Sequence, residues 1–224
     1  MMLAMVEAKQ MLSGRIYTTL REAILRGDFA SGAPLKPQEL AGAHGVSLAV
    51  VREALVRLVG DGLADRLTNR GFAVPLLSDR RWRDLGEARR TIEPATFRLA
   101  IARGDLEWEA QVRAAHHRLA RTPGYEPGDG WRVNPQWSAA HRDFHRALLA
   151  GSGNAVLLET FDRLWLATEL ARLWAAERAP DRDYLGEHRR LEEAALARDA
   201  DKAAAALERH LSQTTASLAT GPAD

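Results

Sequence analysis

The sequence predicts a mainly α protein: an N-terminal winged helix-turn-helix, then an antiparallel all-α bundle of six or seven helices. Two observations carry this. Two helix-period segments flank a glycine turn near residue 45, and a pair of short strand-like segments follows them. Beyond residue 79 no segment alternates with strand period, while apolar residues recur every three or four positions between short breaks. The length, 224 residues, suits one large or two modest domains. The expected division is a winged helix-turn-helix module over 10–78 and a helical module over 79–220.

The first helix is expected over Ser13–Arg26, where Ile16, Leu20 and Ile24 repeat every four residues beside Ala23. Gly27-Asp28 closes it, and Ser31-Gly32-Ala33-Pro34 reads as loop. A short helix over Pro37–His44 starts on a proline suited to a first turn. Gly45 turns the chain, and the Ser47 hydroxyl caps the next helix, Leu48–Gly60. Val51, Ala54, Leu55 and Leu58 are its buried stripe, and Arg52 and Arg57 face outward. Leu63–Leu67 and Phe72–Pro75 are strands around Thr68-Asn69-Arg70-Gly71, a hairpin tip whose cation suits a phosphate or a minor groove.

After a short linker at Pro75–Asp79 come helices at Trp82–Arg103, Glu107–Arg121, Gln136–Ala150, Ala155–Glu177, Asp181–Arg198 and Asp201–Leu218. The stretch 122–135 is loop. In the first bundle helix Leu85, Ala88, Ile92, Ala95, Leu99 and Ala102 share a side, which is expected to be the buried one. Gly151-Ser152-Gly153 ends a helix and is not a phosphate loop; no GxGxxG or GxxxxGK[ST] occurs.

Composition excludes whole classes of chemistry. There is no cysteine, hence no disulfide, thiolate metal site, iron–sulfur cluster or cysteine nucleophile. No apolar run approaches a membrane span, and the opening MMLAMVEAKQML carries Glu7 and Lys9 and makes a poor signal peptide. A cytoplasmic protein without a membrane partner is expected. The net charge is +1, from 31 Lys+Arg and 30 Asp+Glu, and argues neither for nor against nucleic acid. Residues 1–78 hold nine Lys/Arg and seven Asp/Glu, so even the DNA-binding module is only mildly basic.

Histidine is the remaining soft ligand. His141 and His145 are spaced i, i+4 and project from one helix face, a usable bidentate metal arrangement. Phe144 and Leu148 lie near that face, so it points inward. His188 and His210 sit among apolar neighbours on the last two helices, where a bundle brings them opposite the third. Four inward histidines on three helices then meet at one point. His116 and His117 are adjacent and read as solvated surface imidazoles; His44 reads as a half-buried packing residue.

Ile16–Ser78 resembles the GntR-type winged helix. The matching text is LREAILRGDFASG at 20–32, ELA at 39–41, GVS at 45–47, VREAL at 51–55, LVGDGL at 58–63 and NRGFAV at 69–74. The resemblance implies operator DNA as partner, with Ser47, Leu48, Ala49, Arg52, Arg57, Arg70 and Gly71 as DNA-facing positions. It also implies a homodimer on a pseudo-palindrome. The family's arginine, threonine and proline after the GVS serine are here Leu48, Ala49 and Val50. Leu48 cannot read guanine as an arginine does, but it suits a thymine methyl.

Residues 82–218 resemble the FCD domain that follows such winged helices in the FadR subfamily. The matching text is LGEARRTIEPATFRLA at 85–100, FHRALLAGSGN at 144–154, EHRRLEEAALARDADKA at 187–203 and ERHL at 208–211. In metal-binding members an aspartate and a histidine four residues apart join two later histidines; here these positions are His141, His145, His188 and His210. An all-imidazole set favours Zn²⁺ or Ni²⁺ over oxygen-seeking ions. The resemblance also implies a small carboxylate effector beside the metal, held by Arg89. Arg89 equally fits a surface ion pair with Glu93 at i, i+4.

The function expected is a ligand-responsive transcriptional regulator, a repressor released by a small carboxylic acid. The alternatives are a metal-dependent hydrolase with a histidine-rich site, which would have no use for a winged helix, and a dedicated metal sensor. No HExxH occurs, and no catalytic residue is assigned.

Overall fold

The computed structural model describes residues 2–68, 71–76, 78–126, 133–175 and 183–218. The chain divides into two compact units, Met1–Ser78 with Glu169–Leu173 and Asp79–Thr168 with Trp174–Asp224.

In the first unit α1 spans Met2–Arg26, α2 Pro37–His44 and α3 Leu48–Gly60. Helix α1 begins eleven residues earlier than the apolar repeat alone indicates. Met, Leu, Ala, Glu, Lys and Gln fill residues 2–12 apart from Val6; they are good helix formers, and no stop signal interrupts them. Ile16, Leu20 and Ile24 are buried as their spacing predicts, against α3 residues Val51, Ala54, Leu55 and Leu58. Each fully buried Leu or Ile side chain is worth about 1.5–3 kcal/mol. Gly45 closes α2 at φ 62°, a left-handed conformation that other residues adopt only with strain. Ser47 caps α3, its side chain accepting a hydrogen bond from the Val50 backbone N–H.

The wing is a three-stranded antiparallel sheet in the order β1-β3-β2: β1 Pro34–Leu35, β2 Asp65–Leu67 and β3 Gly71–Ala73. Strand β1 corrects the loop expected at Pro34. Two residues are too few to show alternation, and Leu35, opposite Phe72, is buried on the sheet. In the hairpin Asp65 pairs with Ala73 and Leu67 with Gly71. The tip residues Asn69 and Arg70 lie outside the described residues.

The second unit contains α4 Asp79–Arg103, α5 Leu106–Arg121, α6 Pro135–Ala150, α8 Tyr184–Leu196, α9 Ala200–Leu218 and most of α7, Ala155–Ala175. Helix α4 packs along α9, α5 against α6 and α8, and α8 against α9. Phe97, Trp108, Leu119, Phe144, Leu148, Phe161, Trp165, Leu191 and Leu207 form one continuous core. Gly151 ends α6 where the chains pass closely: a Cβ there would come within 2.7 Å of the Ala100 carbonyl oxygen. An isolated bridge joins Tyr125 to Val133 across the expected loop.

The buried face of α4 differs from the expected one. Trp82, Gly86, Arg89, Glu93, Phe97 and Ala100 are buried, whereas Ala95 and Ala102 are exposed and Leu85, Ala88, Ile92 and Leu99 are half-buried. Apolar periodicity misplaces the face because its centre is occupied by a charged pair, Arg89 and Glu93.

Candidate functional site

Helix α6 presents His141 and His145 one turn apart, α8 presents His188, and α9 presents His210. All four are buried, each at most 5 % exposed. The Nε2 of His188 lies 2.9 Å from that of His141 and 3.3 Å from that of His145. One ligand atom from each of the four lies within 4.8 Å of the others. The rings meet edge-on or tilted, so their lone pairs converge on a common point and the faces do not stack.

The donor set fits a metal ion. Nitrogens bound at about 2.0–2.1 Å lie about 2.9–3.4 Å apart when neighbouring in tetrahedral or octahedral geometry. The two Nε2–Nε2 separations fall in that range. Lone pairs aimed at one point in an apolar core repel unless a proton or cation lies between them, and a cation answers all four. The set is all nitrogen, and the neighbouring Asp143 is exposed.

Two buried carboxylates lie beside the site, one against a cage ring and one against Arg89. Glu187 accepts from His210 Nδ1 at 2.7 Å. Glu93 takes the Nε–Nη2 edge of the Arg89 guanidinium with both its oxygens, Nε–Oε1 2.5 Å and Nη2–Oε2 3.2 Å, and Arg89 Nη1 donates to Thr168 Oγ1 at 3.3 Å. The Arg89 pair exists, but it corrects the surface ion pair expected of it: Arg89 is 3 % exposed and Glu93 fully buried. The Arg89 guanidinium carbon rests 5.0 Å over Trp165, whose ring lies 5.0 Å from His141 and 5.1 Å from His145. Trp165 is thus in contact with both the arginine and the cage. On another side Trp137 stacks on His141 at 4.6 Å and meets Tyr184 edge-on.

Glu187, Trp165, Thr168 and Trp137 were not singled out by sequence reasoning as site residues. Glu187 precedes a ligand directly, but its partner, on a different helix, is set by tertiary packing. Trp137, four residues before His141, carried the one readable signal: an aromatic on the ligand face.

Two other histidine readings are corrected. His116 is not solvated: its Nδ1 lies 2.5 Å from Glu192 Oε2 and its ring packs on Phe144. Its i+28 neighbour Phe144 and the α8 carboxylate are brought to it by the fold, and only His117 is exposed. His44 is exposed, because α2 ends there and the glycine turn leaves nothing over it.

On the first unit Ser47, Leu48, Ala49 and Arg52 are exposed at the start of α3. Arg57 is exposed too, but its guanidinium carbon lies 4.2 Å over the Tyr17 ring of α1. Gly71 is exposed, with φ 88°. Arg70 lies outside the described residues. Tyr17 Oη donates to Asp61 Oδ2 at 2.5 Å, tying α1 to the end of α3. Burial, then the bond to Asp61, pushes the Tyr17 phenol up to about 12. The fold favours the neutral phenol, so this contribution is complete below the ordinary value near pH 10 and is lost as pH rises from about 10 to about 12. Tyr17→Phe is expected to flatten that alkaline decline in urea unfolding measured at pH 9–11; an unchanged slope would remove the assignment.

No helix among the described residues is long and apolar enough to cross a membrane. Residues 12–74 match the family described as bacterial regulatory proteins, gntR family, and residues 84–213 match the FCD domain. An uncharacterized HTH-type transcriptional regulator, BphR of Paraburkholderia xenovorans (strain LB400), is 35% identical over 196 residues, covering 87% of this chain and 80% of that protein. The HTH-type transcriptional repressor GlaR of Escherichia coli (strain K12) is 31% identical over 200 residues, covering 87% and 90%. The crystal structure of a putative transcriptional regulator GntR from Rhodococcus sp. RHA1 superposes with a TM-score of 0.72 at 26% identity, covering 92% of this chain and 96% of that one. These families and relatives are transcriptional regulators, not enzymes. The chain belongs to the GntR family of bacterial transcriptional regulators and carries an FCD domain behind its winged helix.

Proposed function

We propose that this regulator is a repressor that leaves its operator when a small carboxylic acid binds beside a metal ion in the helical domain. The convergence of four buried histidines from three helices carries the reading. His141, His145, His188 and His210 would hold Zn²⁺ or Ni²⁺; if six-coordinate, the ion would keep two positions for a carboxylate and act on it as a Lewis acid. Arg89 is the protein's own cation beside Trp165 and is assigned to the effector's carboxylate. The name repressor borne by the E. coli relative supports the sign of regulation. The modules are placed at 10–78 for DNA and 79–220 for effector, metal and dimerisation.

The DNA side rests on α3. A homodimer presents two such helices to a pseudo-palindrome, and a ligand acts only through differential affinity for the DNA-competent state. With Leu48 and Ala49 exposed where the family has arginine and threonine, the operator lacks a guanine preference at that step. Leu48→Arg is expected to shift in vitro selection toward guanine there, by about 1–3 kcal/mol. Identical selected sequences would refute this. An electrophoretic shift with DNA from upstream of the chain's own gene tests operator binding itself.

A second reading, a dedicated metal sensor, is favoured by one observation: Arg89 already has Glu93 on its Nε and Nη2 and Thr168 on its Nη1. In that reading metal alone changes operator affinity and small acids add nothing.

A further inference from the structure

The histidine cage is formally uncharged. Imidazoles that ligate a divalent ion are neutral, so an ion held here would bring two positive charges into a core lined by Phe144 and Trp165. Buried charge of that size needs a counter-charge close by. The four cage ligands are all imidazoles and supply no negative charge, so the compensation has to come from farther out.

Glu187 is a carboxylate bonded directly to a cage ring. Glu187 Oε2 lies 2.7 Å from His210 Nδ1, with both side chains buried. That contact settles the orientation of His210: Nδ1 carries the proton toward Glu187, and Nε2 is left as the donor. Glu93 is committed to Arg89, which cancels its charge, and Glu192 faces His116 outside the cage.

We infer that Glu187 is the positioning residue of the metal site: through His210 it fixes the ring tautomer and supplies the negative charge that the all-histidine shell lacks. The inference rests on the metal reading above. A carboxylate behind a ligating histidine raises its basicity, and losing such a partner costs about 10–100-fold in metal affinity. Glu187 reaches the cage through His210 Nδ1, so it would add charge from behind that ring.

The test is Zn²⁺ affinity of the full chain, by competition with a chromophoric chelator, for wild type, Glu187→Gln and Glu187→Asp. Melting of the metal-stripped proteins runs alongside. The expected result is a loss of about 10–100-fold in Glu187→Gln, with part recovered in Glu187→Asp. The Co²⁺-loaded Glu187→Gln protein should also show an altered d–d absorption spectrum, which a merely structural role would not produce. Wild-type affinity and spectrum in Glu187→Gln overturn the assignment while leaving the metal site standing. Failure of wild type to bind Zn²⁺ or Co²⁺ overturns the metal reading and this inference with it. Should Glu187→Gln not fold, the chemical shifts of the His210 ring nitrogens in apo wild type decide: a proton on Nδ1 upholds the assignment, and a proton on Nε2 overturns it.

Discussion

Zn²⁺ added to metal-stripped protein raises the melting temperature by about 5–11 °C when free metal stands a hundredfold above its dissociation constant, and His188→Ala abolishes the rise. A ligand that binds only the folded state at that concentration adds about 2.7 kcal/mol. For a chain of this size each kcal/mol moves the midpoint by about 2–4 °C. His188 is the choice for substitution because its Nε2 lies against those of both α6 histidines, so its loss opens the cage at the centre. Differential scanning fluorimetry with the metal-stripped variant as its own reference separates lost binding from lost folding. A wild-type midpoint indifferent to Zn²⁺ and Ni²⁺ would deny the cage a metal.

Arg89→Met is expected to destabilise the protein by about 3–5 kcal/mol, or about 6–20 °C in midpoint, without any ligand present. The substitution leaves Glu93, fully buried, with its Arg89 partner gone from both oxygens. Glu93→Leu alone is expected to cost as much by stranding the guanidinium over Trp165. The double variant Arg89→Met/Glu93→Leu recovers most of the loss, because neither charge is then stranded. Urea unfolding of the four proteins gives the cycle. Additive losses would mean that the two side chains do not act as a pair. The double variant has a second use: it is folded, it keeps the histidines, and it lacks Arg89, so its response to small acids tests the effector assignment without the instability of the single change.

Most of the helices were legible because they are periodic and bounded by turn chemistry. Helix α3 begins and ends where Ser47 and Asp61-Gly62 place it. The i, i+4 spacing likewise showed that His141 and His145 share a face. Three things were hidden, each for a physical reason. The buried side of α4 was misread because it is built around Arg89 and Glu93, and hydrophobic periodicity registers charges as solvent-facing. The eleven residues that extend α1 carry helix propensity without a clean apolar stripe. Glu187 and the His116–Glu192 pair depend on which helices become neighbours, which a linear pattern does not encode. The near-neutral charge, at first uninformative, fits a reader that relies on few placed arginines. Of those, Arg57 leans on Tyr17, which leaves Arg52 as the unobstructed candidate on α3.

The central claim is that the helical domain controls DNA binding through a metal held by these histidines. Fluorescence anisotropy tests it most directly, with a labelled operator at fixed salt, on metal-stripped wild type, Zn²⁺-loaded wild type and His188→Ala, each titrated with a panel of small carboxylic acids. The account predicts release from DNA by at least one acid for the Zn²⁺-loaded protein alone. Operator affinity that is the same in all three proteins, with and without acids, would contradict it.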